Sequence, residues 1–208
     1  PTCTLVSNTL TIAVLNCNRI TGDLRYDNSN QMPLAGVPIH LKTLLGNIVA
    51  SDTTDSAGVY DMAGYANGNY LLDASVNYAW GGVTSADALL VTRAFNALVT
   101  LTSFRIKAGD VNANNIANSA DALLINRRIT GLLAAFSAGT FINNLPTVNA
   151  TGNPIQANIR ALSMGDVNGS YSVPSAVPTL VLDTVYGNGN VGTAVVRFTN
   201  PGAGVFER

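Results

Sequence analysis

One twelve-residue stretch constrains the fold of this chain more than any other, because side-chain oxygens recur along it at a fixed spacing. Residues 110–121 read Asp-Val-Asn-Ala-Asn-Asn-Ile-Ala-Asn-Ser-Ala-Asp, and oxygen-bearing side chains fall at positions one, three, five, nine and twelve. The apolar residues 122–125 follow at once and predict the start of a helix. Alternate residues of a tight loop direct their side chains toward one point. The stretch therefore predicts a loop that encloses a hard cation and leads into a helix.

The spacing is that of an EF-hand calcium loop, in which about six to eight oxygens surround the ion. Side chains would supply most of these oxygens, and one backbone carbonyl would complete the middle of the loop. We predict the following ligands: the side chains of Asp110, Asn112 and Asn114, the carbonyl of Ile116, Asn118 acting through water, and Asp121 from the first turn of the helix.

Two residues of this loop depart from the EF-hand pattern. Position six is Asn115 where the pattern has glycine, but asparagine is the next most tolerant residue of left-handed backbone. Position twelve is Asp121 and not the usual glutamate. The alternative interpretation is a polar turn in which Asn118 or Ser119 caps the following helix.

The segment at 83–93 repeats the segment at 117–127 almost residue for residue. Each copy is the second half of a loop that runs into a helix, and Ser85 and Ser119 are the predicted N-caps. Apolar residues of the two helices are predicted to pack together: Leu89, Leu90, Phe95 and Leu98 on the first, and Leu123, Leu124 and Ile129 on the second.

This paired pattern resembles dockerin. The resemblance rests on Gly109-Asp-Val-Asn, on residues 118–124, and on Arg127 and Arg128 before Gly131. It implies loop–helix repeats that each bind calcium, hence two Ca²⁺ ions, and helices that dock onto a cohesin-like partner. The implied binding surface would surround Ser85, Ala86, Arg93, Ser119, Ala120, Arg127 and Arg128.

The first copy departs from dockerin because it lacks the front half of its loop. Counting back from Asp87 places Val76, Tyr78 and Trp80 where ligands belong. Conversely, residues 165–171 are a front half without a back half. We predict that the two fragments form one split calcium site. Its ligands would be Asp166, Asn168, Ser170 and Asp87, with the backbones of Thr84 and Gly82. The alternative is a pair of decayed repeats.

Residues 18–76 alternate short strand patterns with turn signals, which predicts a small β-sandwich. Strands are predicted at 19–26, 37–44, 48–53, 55–61 and 68–76. The residues at 21–24, 33–38, 54–60 and 67–70 resemble carboxypeptidase-regulatory-like, or transthyretin-like, β-sandwich modules. That resemblance implies a spacer or stalk module of a secreted or surface protein.

The remaining segments extend these units. Residues 4–15 predict a strand, and residues 179–199 predict two strands about a glycine-rich turn. In 131–164 we expect extended chain at 136–143 and 147–149 and a short helix at 155–162, which together cover the helix pair. The predicted domains are an N-terminal strand at 1–17, the β-sandwich at 18–76, the dockerin-like unit at 77–177, and a C-terminal hairpin or donor strands at 178–208.

The composition of the chain limits the classes of partner that it could bind. Only 11% of residues are charged and the net charge is −1, which argues against nucleic acid or an anionic membrane as a partner. No apolar run approaches the roughly 20 residues of a membrane span. The chain begins without methionine, so we expect a processed product or fragment. Cys3 and Cys17 predict a disulfide, with two free thiols as the alternative.

The sequence predicts glycosylation at a few short acceptor patterns, whereas it does not predict catalysis. The chain has one histidine and no thiol near a base, and its clustered acids are spaced for calcium. Short acceptor patterns predict glycosylation. The sites are Thr53, Ser56, Thr184 and Asn149.

Together these features predict a mixed, mainly β fold, with a small β-sandwich, a two-helix calcium-binding unit and extra strands at both termini. The predicted function is a non-enzymatic, calcium-stabilised extracellular module, which serves as a stalk, an adhesin segment or a self-assembling fibre subunit. Self-association would use the terminal strands, paired within one chain or donated to the next subunit. The alternative is a module that attaches a secreted protein to a cohesin-like scaffold.

Overall fold

The computed structural model describes residues 18–172 and, beyond them, the strands at 180–182 and 196–198. The chain divides into two compact units, Pro1–Ser172 and Val173–Arg208. Residues 18–172 form three helices and nine strands in two sheets, so the mixed, mainly β fold is confirmed. No helix among residues 18–172 has the length and apolar character that crossing a bilayer requires.

Five strands precede the first helix, close to where the sequence predicts them. They are β1 (Asn18–Tyr26), β2 (Pro38–Thr43), β3 (Ile48–Thr53), β4 (Val59–Tyr65) and β5 (Gly68–Ala74). Three helices follow: α1 (Ser85–Phe95), α2 (Ser103–Gly109) and α3 (Ser119–Ile129). The last strands of this unit are β6 (Phe141–Asn144), β7 (Thr147–Ala150), β8 (Ile155–Gln156) and β9 (Ile159–Ser163).

Strand β1 lies at the centre of the first sheet, whose order is β4-β1-β9-β6 with β8 also paired to β1. Every second residue of β1 is buried, and Ile20, Leu24 and Tyr26 are fully buried. Strand β4 pairs with β1 antiparallel, whereas β8 and β9 pair with it parallel. At Gly22 an added Cβ would lie 1.9 Å from the carbonyl oxygen of Ala157, so only glycine allows β8 and β9 to approach β1 this closely.

The second sheet has the order β3-β2-β5-β7, and all its pairs are antiparallel. The period-two pattern of β2 and β5 directs Ile39, Leu41 and Leu72 into the core between the sheets. Strands β6 and β9 belong to the first sheet and β7 to the second. Strand pairing therefore crosses the boundary that we predicted at residue 76.

The helix predicted at 155–162 is wrong, because this segment forms strands β8 and β9. Ile159, Ala161 and Leu162 are fully buried at the sheet. The apolar residues at 155, 157, 159 and 161 alternate with polar ones, which is the period of a strand and not of a helix. The predicted covering role of 131–164 is correct only in part. Phe136 joins the core of the helices, whereas residues 141–163 supply strands to both sheets.

The helix pair packs through small and β-branched residues and not through the residues that we predicted. Ala88 and Val91 of α1 meet Ala122 and Ile125 of α3 in one buried cluster. The predicted contact residues are largely exposed. Leu89 and Leu123 face away from the buried cluster, whereas Phe95, Leu98 and Ile129 lie at or beyond the C-terminal ends of their helices. The exposed fractions are 57% for Leu89, 55% for Phe95, 67% for Leu98, 59% for Leu123 and 40% for Ile129. Leu90 and Leu124 pack partly against the core.

The second unit is described only through two strands, β10 (Leu180–Leu182) and β11 (Val196–Phe198), which pair antiparallel. This pairing agrees with the predicted C-terminal hairpin. Three predictions lie outside the described residues: the strand at 4–15, the disulfide between Cys3 and Cys17, and the modification at Thr184.

Candidate metal centre

Helices α1 and α3 begin with the same hydrogen-bonded cap. The caps are Thr84 and Asn118, whose backbone is extended, and not Ser85 and Ser119, which are already helical. Asp87 and Asp121 stand at the third helical position and complete capping boxes. Their Oδ2 atoms accept from the cap amides, at 2.9 Å from Thr84 N and 3.0 Å from Asn118 N. The sequence repeat is thus a repeat of helix-start geometry.

The continuous loop at 110–121 curls around its own carboxylates. Asp110 accepts from two backbone amides, Asn114 N at 3.1 Å and Asn115 N at 2.7 Å. The Oδ1 atom of Asn112 accepts from Asn114 N at 3.0 Å, and Asp121 Oδ1 accepts from Asn112 N at 3.2 Å. Asn115 has φ 69°, so asparagine adopts the left-handed turn that the pattern assigns to glycine.

The split segments reproduce this hydrogen-bond pattern across two distant parts of the chain. Asp166 accepts from Ser170 N at 3.0 Å and from Tyr171 N at 2.9 Å. The Oδ1 atom of Asn168 accepts from Ser170 N at 2.7 Å. Asp87 Oδ1 accepts from Asn168 N at 3.0 Å, as Asp121 Oδ1 accepts from Asn112 N in the continuous loop. The structure thus brings residues 166–171 together with the start of α1.

Gly82 lies where the middle of the predicted split site would be. This residue precedes the start of α1 by the same interval that separates Ile116 from the start of α3. The Ser170 hydroxyl donates to the Gly82 carbonyl at 2.7 Å, so the oxygens of positions five and seven lie side by side. Gly82 has φ 78°, and an added Cβ would lie 2.8 Å from Asp166 Oδ2. A side chain there would obstruct the carboxylate.

The two loops differ in burial. Asp166 and Asp87 are both 0% exposed, whereas Asp110 is half-buried. Burial raises the pKa of Asp166, hydrogen bonds from Tyr26, Tyr171 and Ser170 lower it, and the charge of Asp87 raises it further. Two carboxylates that converge in a buried place repel each other unless a cation lies between them.

Two residues that the sequence did not reveal hold the split loop from outside. The Tyr26 hydroxyl, at the end of β1, donates to Asp166 Oδ2 at 2.6 Å. Arg105 of α2 donates to the carbonyl of Asn168 at 2.9 Å and to the Asp27 carboxylate at 3.2 Å. Neither contact leaves a signal in the sequence, because Tyr26 reads as a core residue of a strand and α2 is too short for a clear period.

The donor sets at both loops fit calcium by their chemistry. Carboxylate, amide, hydroxyl and carbonyl oxygens are the ligands that Ca²⁺ prefers, and each loop combines two carboxylates with neutral oxygens. Among residues 18–172, no group of three or more His, Cys, Asp or Glu side chains is placed to hold a metal. The predicted sites therefore depend on amide and backbone oxygens as well as on acids.

The other predicted residues lie mostly at the surface. Thr53, Ser56 and Asn149 are exposed, as glycosylation requires. Six residues of the implied dockerin surface are also exposed: Ser85, Ala86, Arg93, Ser119, Ala120 and Arg127. Arg128 is half-buried instead, with its guanidinium 4.1 Å from the ring centre of Trp80 and 4.9 Å from that of Phe136. This stacking holds Arg128 against the core.

The comparisons with known proteins centre on the helical region. Residues 81–130 match the family model of the Dockerin type I domain, which covers both helix starts and the continuous loop. No curated protein matches the chain. A solved structure, a variant of the major pilin subunit of Bacillus cereus, is similar at 18% identity over 31% of this chain and 20% of that chain, with a TM-score of 0.28. What the comparisons establish is a dockerin type I match confined to residues 81–130.

Proposed function

We propose that this chain is a non-enzymatic, calcium-stabilised structural module of an extracellular protein, in which one Ca²⁺ fills the loop at 110–121 and a second fills the split site. The observation that carries the proposal is the shared hydrogen-bond pattern of the two loops. Position-one, position-three and position-twelve side chains accept from equivalent backbone amides in both. Two decayed repeats that had lost their ion would have no reason to keep the same hydrogen bonds.

The split site explains why calcium would serve structure and not sensing. Its halves, 82–87 and 166–170, are separated by roughly 80 residues, so an ion bound between them holds together segments that are far apart in the chain. Asp166 follows β9 by a short turn, whereas Asp87 belongs to α1. An ion that binds only the folded arrangement stabilises it by mass action. Calcium would therefore fasten the helix pair to the sheet.

Calcium stoichiometry tests this proposal directly. Asp87→Asn and Asp166→Asn each remove a ligand charge from the same ion, so each variant is expected to bind one Ca²⁺ fewer than the parent chain. The double variant is expected to lose no further ion. Asp110→Asn is the matched control, because it removes the other ion. Titration calorimetry with mass spectrometry under native conditions gives the counts. Independent losses in the two split-site variants would contradict the proposal.

Assembly into a stalk or fibre is the larger role that we propose for the module. The support is the paired β10 and β11 strands, which form a unit separate from Pro1–Ser172, together with the sparse charge of the chain. The resemblance to carboxypeptidase-regulatory-like spacers favours the same role. Electron microscopy of the full chain with calcium and with chelator tests it. Calcium-dependent filaments are expected, and a monomer under both conditions would contradict the fibre.

A second candidate is attachment to a cohesin-like scaffold. Two observations favour it: the dockerin type I match at 81–130, and exposed apolar residues at equivalent places on α1 and α3, such as Leu89 with Leu123 and Phe95 with Ile129. Binding of purified cohesin modules, measured by surface plasmon resonance, distinguishes the two roles. Loss of binding in Leu89→Asp and Leu123→Asp together would support attachment, and absence of binding in the parent chain would exclude the cohesins used.

A further inference from the structure

We propose that Tyr26, a residue of the sheet, is a positioning residue of the split calcium site. Its hydroxyl fixes the carboxylate of Asp166 in the orientation that the ion needs, so the affinity of this site depends on the sheet. The inference rests on the proposed split site and adds a residue that lies 140 positions from Asp166 in the chain.

The direction of the hydrogen bonds supports this role. The backbone amide of Ser163 donates to the Tyr26 oxygen at 2.9 Å, so this oxygen acts as an acceptor on that side. The single hydroxyl hydrogen of Tyr26 is then available for Asp166 Oδ2, 2.6 Å away. Strand β1 thus contacts both the end of β9 and the first ligand of the site through one side-chain atom.

The arrangement at Asp166 selects one carboxylate oxygen for the ion. Oδ2 accepts from both the Tyr26 hydroxyl and Tyr171 N, whereas Oδ1 accepts only from Ser170 N. A carboxylate oxygen has about two lone-pair sites, so Oδ1 keeps one for a cation and Oδ2 does not. Hydrogen bonds of this kind orient metal ligands from outside the coordination shell.

The continuous loop shows why the split site needs such a residue. Asp110 accepts from Asn114 N and Asn115 N, and its loop then continues through Asn115 into the remaining ligands. In the split site residues 166–171 supply positions one to six, whereas positions seven to twelve come from residues 82–87. The covalent link that holds the continuous loop closed is absent here. The Tyr26 hydroxyl supplies a replacement from the sheet.

Bulk water does not reach this hydroxyl. Tyr26, Ser163 and Asp166 are all 0% exposed, and the Tyr26 ring packs against the Tyr171 ring at 5.2 Å between centroids. Removal of the oxygen would leave the amide of Ser163 and one lone pair of Asp166 without a protein partner in a buried place. The half-buried Asp110, by contrast, has access to solvent.

The test is Tyr26→Phe, which removes one oxygen and keeps the ring. The affinity of the split site for calcium is expected to fall about 10- to 100-fold, the usual effect of losing an outer hydrogen bond to a metal ligand. The continuous loop is expected to keep its affinity. Tyr60→Phe is the matched control, because Tyr60 is also buried in the sheet and its hydroxyl donates to the carbonyl of Ala157, away from both loops.

Terbium luminescence reports the split site selectively. Tb³⁺ substitutes for calcium among oxygen ligands and accepts energy from nearby tyrosines. Tyr171 follows Ser170 directly, whereas residues 110–121 contain no tyrosine or tryptophan. Tyrosine-sensitised emission therefore follows the split site, and calorimetry with calcium follows both. A selective shift of the emission midpoint in Tyr26→Phe supports the inference. Equal midpoints in Tyr26→Phe, Tyr60→Phe and the parent chain overturn it.

A second measurement uses the parent chain and does not depend on the folding of Tyr26→Phe. Hydrogen exchange at the amide of Ser163 is expected to slow when calcium is added. An ordered Asp166 holds the Tyr26 hydroxyl in place, and this hydroxyl accepts the hydrogen bond of the Ser163 amide. Asp87→Asn, which removes the ion, is expected to abolish the slowing. Unchanged exchange in the parent chain overturns the inference. Failure of the split site itself is seen differently, as a parent chain that binds only one Ca²⁺.

Discussion

The continuous loop at 110–121 and the split site at 82–87 and 166–170 use the same side-chain pattern but obtain it by different means. The continuous loop turns on itself through the left-handed Asn115 and is partly open to solvent. At the split site both carboxylates, Asp87 and Asp166, are buried, and Asp166 and Asn168 accept hydrogen bonds from Tyr26 and Arg105. The residues of such a pattern therefore do not have to be consecutive in the chain when other parts of the fold hold them together.

Removal of calcium is expected to have the largest effect on both loops. Without ions, the buried carboxylates of Asp87, Asp121 and Asp166 lose their counter-charge. We expect a loss of ~4 kcal/mol of unfolding free energy per site, relative to calcium on the order of a thousandfold above Kd. Thermal unfolding with calcium and with chelator measures it. Magnesium is expected to restore little, since it demands a tighter octahedral site. Equal melting curves would contradict both sites.

A comparison of Asp87→Asn with Asp121→Asn sharpens the difference between the loops. The two residues are fully buried, occupy the same helix position and complete the same capping box. In calcium, Asp87→Asn is expected to cost up to about 2 kcal/mol more unfolding free energy. The ion that it releases joins segments roughly 80 residues apart, whereas the two ends of the loop at 110–121 stay close together through the chain itself. Denaturant unfolding of both variants measures the difference. In chelator the two variants should be equally stable, and a persistent gap there would assign the effect to capping.

Position four gives a further matched pair. Gly169 has φ 69°, and an added Cβ would lie 2.5 Å from the carbonyl oxygen of Asp27, whereas Ala113 already adopts φ 60° in the open loop. Gly169→Ala is therefore expected to cost about 1–3 kcal/mol through strain and overlap. Ala113→Gly is expected to change stability by less than about 1 kcal/mol. Chemical denaturation tests both. Similar effects would mean that the split loop is as open as the continuous one.

The smallest effect is expected from Asn115→Gly at position six. Glycine adopts φ 69° without the steric cost that asparagine bears, but it also gives the unfolded chain more freedom. The two contributions nearly offset, so we expect less than about 1 kcal/mol change in stability and a modest gain in calcium affinity of this loop alone. Calorimetric titration of the Asp87→Asn background isolates that loop. A large loss of affinity would show that the Asn115 side chain binds the ion.

The sequence predicted the local features well, because they depend on residues that are close in the chain. The strands of 18–74, the helix starts at 85 and 119, and the pairing of residues 166–170 with Asp87 all follow from short patterns or from a repeat. The ligand assignments remain predictions. We could predict the split site from the sequence only because the two halves of one motif are recognisably complementary.

Features that arise from long-range packing could not be predicted in this way. Residues 155–161 do alternate apolar and polar side chains, as a strand does, but the parallel partner that β1 offers them cannot be read from so short a stretch. The apolar residues Leu89 and Leu123 suggested a helix interface that Ala88 and Ala122 provide instead, since closely packed helices favour small residues. The hydroxyl of Tyr26 was indistinguishable from that of any other core tyrosine.

The parallel pairing of β1 with β8 and β9 has a mechanical consequence for a stalk or fibre. Residue 18 begins β1, and residue 172 follows β9, so a pull between these positions draws the parallel strands past each other lengthwise. All hydrogen bonds between them then bear the force together and do not open one after another. The contact between Tyr26 and Asp166 lies at the end of this strand pair where β1 and β9 finish. Tension along the chain would therefore load the sheet and the ion site together.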